Sequence, residues 1–203
     1  MKRLILLALL LWVSPAGATP DYVLPTVFEV TGVSAGDVLN VRAGPGTDHA
    51  VIGRLAPDAT GLEVIEIDAT GRWARLNVEE GTGWASLAYL APLAASPGGS
   101  GAQPLTCFGT EPFWTLRLSP DPLWSTPEGS REPLSSILLE TGVFRDPRRA
   151  AIVDFGDERM TVTTHFEICS DGMSDRAYGL GASIVRETET GTSLLTGCCT
   201  VGR

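Results

Sequence analysis

The chain has 203 residues, with 24 Asp and Glu against 15 Lys and Arg, for a formal charge of −9. That balance argues against nucleic-acid partners, which call for clustered basic charge, and disfavours attraction to anionic lipid surfaces. The length suffices for one large or two small domains.

Residues 1–18 read as a signal peptide. Lys2 and Arg3 precede ten uninterrupted apolar residues, Leu4 to Val13, and Ala16-Gly17-Ala18 forms an A-x-A cleavage pattern. Ten residues are too few to cross a bilayer of about 30 Å, which takes about 20, so no stable membrane insertion is expected once the signal is removed. The mature chain would start at Thr19, carrying 13 basic side chains against 24 acidic ones. All 13 are arginines, because Lys2 is the sole lysine of the sequence.

From residue 26 the pattern is β. Leu39 and Val41 alternate with Asn40 and Arg42, the period of a half-buried strand. The strand runs into Gly44-Pro45-Gly46, where Pro45 presets a turn and the flanking glycines are free to take positive φ. Thr47-Asp48-His49-Ala50 and a short apolar run follow, then Gly71-Arg72-Trp73-Ala74-Arg75-Leu76 and Gly81-Thr82-Gly83-Trp84-Ala85-Ser86-Leu87-Ala88-Tyr89-Leu90. In order and spacing these elements resemble the bacterial SH3 (SH3b) domain over residues 26–93. The resemblance implies a small barrel that binds cell-wall peptide or another envelope partner. Within it, Trp73 and Tyr89 read as packing residues. Trp84, flanked by glycine and small residues, reads as part of a ligand groove with Asn40 and Arg42, since an aromatic ring offers large contact area at low entropic cost.

Residues 94–104, Ala-Ala-Ser-Pro-Gly-Gly-Ser-Gly-Ala-Gln-Pro, have the composition of a flexible linker with a reach of about 18 Å. That composition predicts two units that move independently and separate as folded fragments when cut there.

The second unit, 105–203, holds all four cysteines: Cys107, Cys169, Cys198 and Cys199. An even count in an exported chain reads as two disulfides. A bond between neighbours Cys198 and Cys199 is disfavoured by geometry. Two pairings remain open; Cys107–Cys199 with Cys169–Cys198 is preferred, though the residues scarcely separate it from its counterpart. Zinc is disfavoured because no C-x-x-C pair exists. Met160, Val162, Thr164, Phe166 and Ile168 alternate with polar residues and predict one strand with a core face. Shorter apolar runs at 114–118, 137–139, 151–155, 183–185 and 193–195 suggest further strands, and 128–139 suggests one short helix. The sum is an antiparallel β-barrel or sandwich.

Three motifs mark this unit: Gly109-Thr110-Glu111-Pro112-Phe113-Trp114, Cys169-Ser170-Asp171-Gly172-Met173-Ser174-Asp175, and Gly197-Cys198-Cys199. They resemble an uncharacterised family of exported bacterial proteins, loosely related to META-domain and lysozyme-inhibitor-like lipoproteins. That resemblance implies a shape and a location more than an activity. Asp171 and Asp175 read as caps of a tight turn around Gly172, and Glu111 as the partner of an arginine. The competing readings are an acid/base pair or a cation site. Ser174 lacks a nucleophile-elbow setting, and the two histidines, His49 and His165, are too few for a zinc amidase.

The residues therefore predict a mainly β, non-enzymatic, periplasmic or secreted protein with an SH3-like small barrel followed by a disulfide-stabilised β-domain. No metal or cofactor is expected. The expected partner is peptidoglycan or an envelope protein. The alternative is a lysozyme-inhibitor-like protein whose second unit plugs a glycosidase cleft, with acidic charge steering it to a basic lysozyme.

Overall fold

The computed structural model describes residues 23–93, 103–140 and 147–202. The expected signal peptide and most of the expected linker lie outside the described residues. Nearly everything described is β, in two antiparallel sheets.

The first sheet is built from β1 (Thr26–Val30), β2 (Leu39–Arg42), β3 (Val51–Leu55), β4 (Leu62–Ile67), β5 (Trp73–Val78), β6 (Gly81–Ser86) and β7 (Leu90–Pro92), with a 3-10 turn at Leu87–Tyr89. Its strand order is β3-β2-β6-β5-β4-β1-β7. Period-2 alternation sends Leu39, Val41, Ala74, Leu76 and Ala85 inward, where they meet Phe28, Val30, Val64 and Leu90 in one core. The same alternation leaves Asn40, Arg42, Trp73, Trp84 and Ser86 on the outer face.

The second sheet has nine strands: β8 (Leu105–Thr110), β9 (Phe113–Ser119), β10 (Leu123–Thr126), β11 (Gly129–Arg131), β12 (Ser135–Glu140), β13 (Arg149–Asp154), β14 (Glu158–Cys169), β15 (Tyr178–Thr188) and β16 (Gly191–Val201). They run in the order β11-β10-β9-β8-β16-β15-β14-β13-β12 and curl until β12 comes back beside β9. Trp114, Leu116, Trp124, Val153, Met160, Val162, Leu180 and Ile184 fill the curl. Both disulfides of the preferred pairing are present, Cys107–Cys199 and Cys169–Cys198.

Two expectations fail here. The helix over 128–139 is instead the end of a hairpin and a new strand. Thr126 pairs with Gly129 across a two-residue Pro127-Glu128 turn, Pro133 interrupts the chain, and Ser135–Glu140 pairs with β13. The core face of β14 ends at Thr164: Phe166 is 50% and Ile168 41% exposed. Alternation continues, but the strand outruns the core, and a bulge between Phe166 and Cys169 shifts its register.

The two units, expected to move independently, make direct contact. In β4 three successive residues are buried: Glu63, Val64 and Ile65. Val64 points into the first core, so Glu63 and Ile65 must be covered from outside, and β15 lies against β4. Glu63 accepts the Thr200 hydroxyl at 2.5 Å and the Val201 N–H at 3.1 Å. Its neighbour across the strand pair, Val27 of β1, belongs to the core of the second unit. The tip of the β5–β6 hairpin is gripped as well. Asn77 and Ala177 exchange two hydrogen bonds at 2.9 and 3.1 Å, and Arg176 Nε donates to the Glu79 carbonyl at 2.7 Å. Even the end of the expected linker is engaged: Gln103 Nε2 donates to the Thr26 hydroxyl, and Pro104 accepts from Gly202 N–H. Composition signals a chain that cannot pack on itself, but it does not stop the flanking units from packing on each other.

Candidate functional site

A cavity of about 430 Å³ opens on the outer face of the first sheet, between β2, β5, β6 and the 3-10 turn. Asn40 and Arg42 of β2, Trp73 of β5, Ser86 of β6, Tyr89, 44% exposed, and Asp37 line it. Strand register explains the grouping, because Trp73 sits directly across from Ser86 on the neighbouring strand.

Of the expected site residues, Asn40 and Arg42 line this cavity and Trp84 does not. Trp84 occupies the next row of the same face, half-buried between Arg42 and Arg75, its register partners on either side. The aromatic walls are Trp73 and Tyr89, which the sequence suggested were packing residues. Outward parity was readable for both tryptophans. Which row borders the hollow depends on the turn Leu87–Tyr89, whose orientation no strand period encodes.

Arg42 is tied to its own loop: Nη1 donates to the His49 carbonyl at 2.8 Å. This bond closes the Gly44-Pro45-Gly46 loop, and its remaining N–H groups retain donor capacity toward a ligand. The glycines serve a different purpose from the one expected. Neither has positive φ; a Cβ on Gly44 would lie 2.7 Å from the His49 ring, and one on Gly46 would lie 2.4 Å from the Asp48 carboxylate. The loop needs space there, not a left-handed backbone.

Trp73 is held from behind. Asp68 accepts the backbone N–H groups of Thr70, Arg72 and Trp73 and the Thr70 hydroxyl. The Thr70 hydroxyl bond pulls the carboxyl down most strongly; desolvation opposes it, and the three backbone donors tip the balance and hold the carboxyl at about 2. A depressed pKa stabilises the fold above the ordinary value of 3.8 and loses that stabilisation as pH falls toward about 2. Between those values the amides of Arg72 and Trp73 are expected to lose exchange protection before the strands do. In Asp68→Asn that acid-dependent step should vanish; an unchanged NMR titration of these amides would refute the assignment.

In the second unit, Asp171 caps its turn as expected, accepting from Met173 N–H and Ser174 N–H at 2.9 Å and from the Ser174 hydroxyl. Burial pushes this carboxyl upward, but these bonds, with one from Tyr178, prevail and leave it below its ordinary value. Asp175 has a different role: its N–H donates to the Glu80 carbonyl, so the second half of the motif docks on the β5–β6 hairpin. Glu111 is exposed and reaches no arginine among the described residues. Ser174 is bonded to Asp171, while His165 Nε2 lies 3.0 Å from Glu167. Among the described residues no three His, Cys, Asp or Glu side chains converge, and no helix is long and apolar enough to cross a membrane.

Two of the three motifs, those of Gly109 and Gly197, form one packing device. A Cβ on Gly109 would fall 2.2 Å from the Trp114 indole nitrogen, and one on Gly197 would fall 2.0 Å from the Phe108 carbonyl oxygen and 2.8 Å from the indole. Trp114 therefore lies flat over two strands that only glycine leaves bare. It stacks on Trp124 with centroids 5.6 Å apart.

No curated protein matches the chain. Residues 37–91, which run from just before β2 into β7 and carry the Gly-Pro-Gly loop and most of the cavity lining, match the bacterial SH3 domain family.

Proposed function

We propose that this is a non-enzymatic binding protein of the bacterial cell envelope, located outside the cytoplasm, whose SH3 cavity takes a short cell-wall peptide. The observation that carries the reading is the grouping of Trp73 and Tyr89 with Asn40 and Arg42 around one hollow in a bacterial SH3 domain. Ring faces suit the apolar parts of a peptide, while the amide and guanidinium suit its carbonyls and carboxylates. Two disulfides fit an oxidising compartment.

The test is retention of the protein on purified peptidoglycan. Arg42→Ala is expected to weaken retention about tenfold or more, since a hydrogen bond to a charged group contributes about 1.5–3 kcal/mol and 1.4 kcal/mol is one decade. Trp73→Ala should weaken it as well, through the lost ring contact area. Arg42→Ala also frees the His49 carbonyl, so its melting temperature falls slightly; Arg42→Lys separates the two effects. Undiminished retention by both alanine variants would end this reading. The lysozyme-inhibitor alternative draws support from the acidic charge of the chain and the motif resemblance of its second unit, and inhibition of a lysozyme by the intact protein would be its test.

A further inference from the structure

We propose that the curled sheet carries a second ligand site, a groove for a linear neutral saccharide, running beside the Glu111-Pro112-Phe113 turn. The groove starts in a cavity of about 710 Å³, within the range of roughly 300–1,000 Å³ usual for small-molecule sites. Phe113, 53% exposed, stands on its wall beside the stacked Trp114 and Trp124. The hollow does not end there. Beyond Phe113 and Trp114 a further concavity of about 380 Å³ continues over Phe108, Gly109 and Ser125. An exposed ring standing between two joined hollows suits a chain of stacked units better than one compact molecule.

The polar groups set the chemical class. Glu158, its side chain 3% exposed, has one carboxylate oxygen bonded to Arg131 and the other to Arg186. Arg131 also pairs with Asp157 at 3.1 Å. Two cations thus face two anions, and the wall has no excess charge to attract an anionic ligand. Glu128 on the rim adds a carboxylate that would repel one. Arg186 spends only Nε on Glu158; among the described residues its two terminal nitrogens have no partner, and its guanidinium carbon sits 5.6 Å from the Trp124 ring. Free donors, a rim acceptor and the exposed Phe113 ring, with charges balanced, match a ligand rich in hydroxyls and C–H faces. Because the groove lies on the second sheet, this inference stands apart from the SH3 cavity.

The experiment titrates the intact mature protein with a β-1,4-linked N-acetylglucosamine tetramer and with cellotetraose, following tryptophan emission. At least one is expected to produce a saturable change. Phe113→Ala should weaken that binding tenfold or more, Phe113→Trp should preserve it, and Glu128→Gln should weaken it a few-fold. These side chains lie on the surface, so the variants are expected to fold; Arg186 is avoided because its loss half-unpairs buried Glu158. Trp73→Ala, in the SH3 cavity, should leave saccharide binding intact even if it abolishes peptidoglycan retention. The proposal is overturned if neither saccharide gives a saturable change up to about 10 mM, beyond the weak end of useful affinity. It is equally overturned if Phe113→Ala binds as the parent does, or if Trp73→Ala removes the signal.

Discussion

Serine at both Cys107 and Cys199 is expected to cost about 4–5 kcal/mol of stability, and serine at both Cys169 and Cys198 about 3–4 kcal/mol. The difference follows from loop length. The first bond joins residues 92 apart and the second residues 29 apart, and the denatured-chain entropy removed by a crosslink grows with the logarithm of that separation. Position amplifies the effect. Adjacent residues of a strand point to opposite faces, so Cys199 enters the core while Cys198 faces the other side. β16 is therefore clamped from both faces, to β8 by one bond and, past β15, to β14 by the other. A domain of this size has a total stability of roughly 5–15 kcal/mol, so losing either bond should remove a large share of it and losing both, about 7–9 kcal/mol, roughly half or more. Urea unfolding of the two paired variants, with equal slopes, gives the comparison. Thiol titration of the denatured, unreduced protein should find no free thiol, and two or more would contradict the pairing.

What the residues disclosed, and what they hid, follows from the range over which each signal acts. Leu39–Arg42 was legible as a strand because alternation is a property of neighbouring residues. The cysteine pairing could be narrowed because only two of three combinations avoid a bond between neighbours. Phe166 and Ile168 were misjudged because alternation assigns a face, not how far the partner core extends along it. The segment 128–139 was expected to hold a short helix, but Pro133 breaks it and the apolar run Ile137–Leu139 lies in a strand that adds to β13. Trp73 and Tyr89 were assigned to packing because a cavity belongs to no single strand; it exists only where β2, β5 and the 3-10 turn come together. The contact between the two units left one trace. Val64-Ile65 beside Glu63 makes β4 apolar on both faces, which in a small barrel calls for a cover on the outside. The partners Thr200, Val201 and Ala177 carry nothing that points back to it.

That cover gives the second large expected effect. Glu63→Ala should cost about 2–4 kcal/mol and loosen the two sheets from each other. The carboxylate is 6% exposed and accepts two donors from β16, so its removal strands a buried hydroxyl and a buried N–H, each worth about 1–3 kcal/mol when left unsatisfied. Glu63→Gln keeps the shape and one acceptor, and is expected to lose about half as much. Arg176→Ala acts on the same contact from the rim. It removes the bond to the Glu79 carbonyl and an ion pair with Glu80 whose carboxylate is largely exposed, so its effect should stay below about 1 kcal/mol. The ordering discriminates between a docked pair of sheets and two beads on a string. In a docked pair, cleavage between residues 94 and 102 leaves the halves associated on gel filtration, and Glu63→Ala releases them. Beads on a string would separate on cleavage in the parent protein, and Glu63→Ala would change nothing. Docking also bears on function, because it holds the SH3 cavity and the Phe113 groove in one fixed relation. A peptide and a glycan strand bound together would then have to match the spacing between the two sites, a constraint that Glu63→Ala should relax.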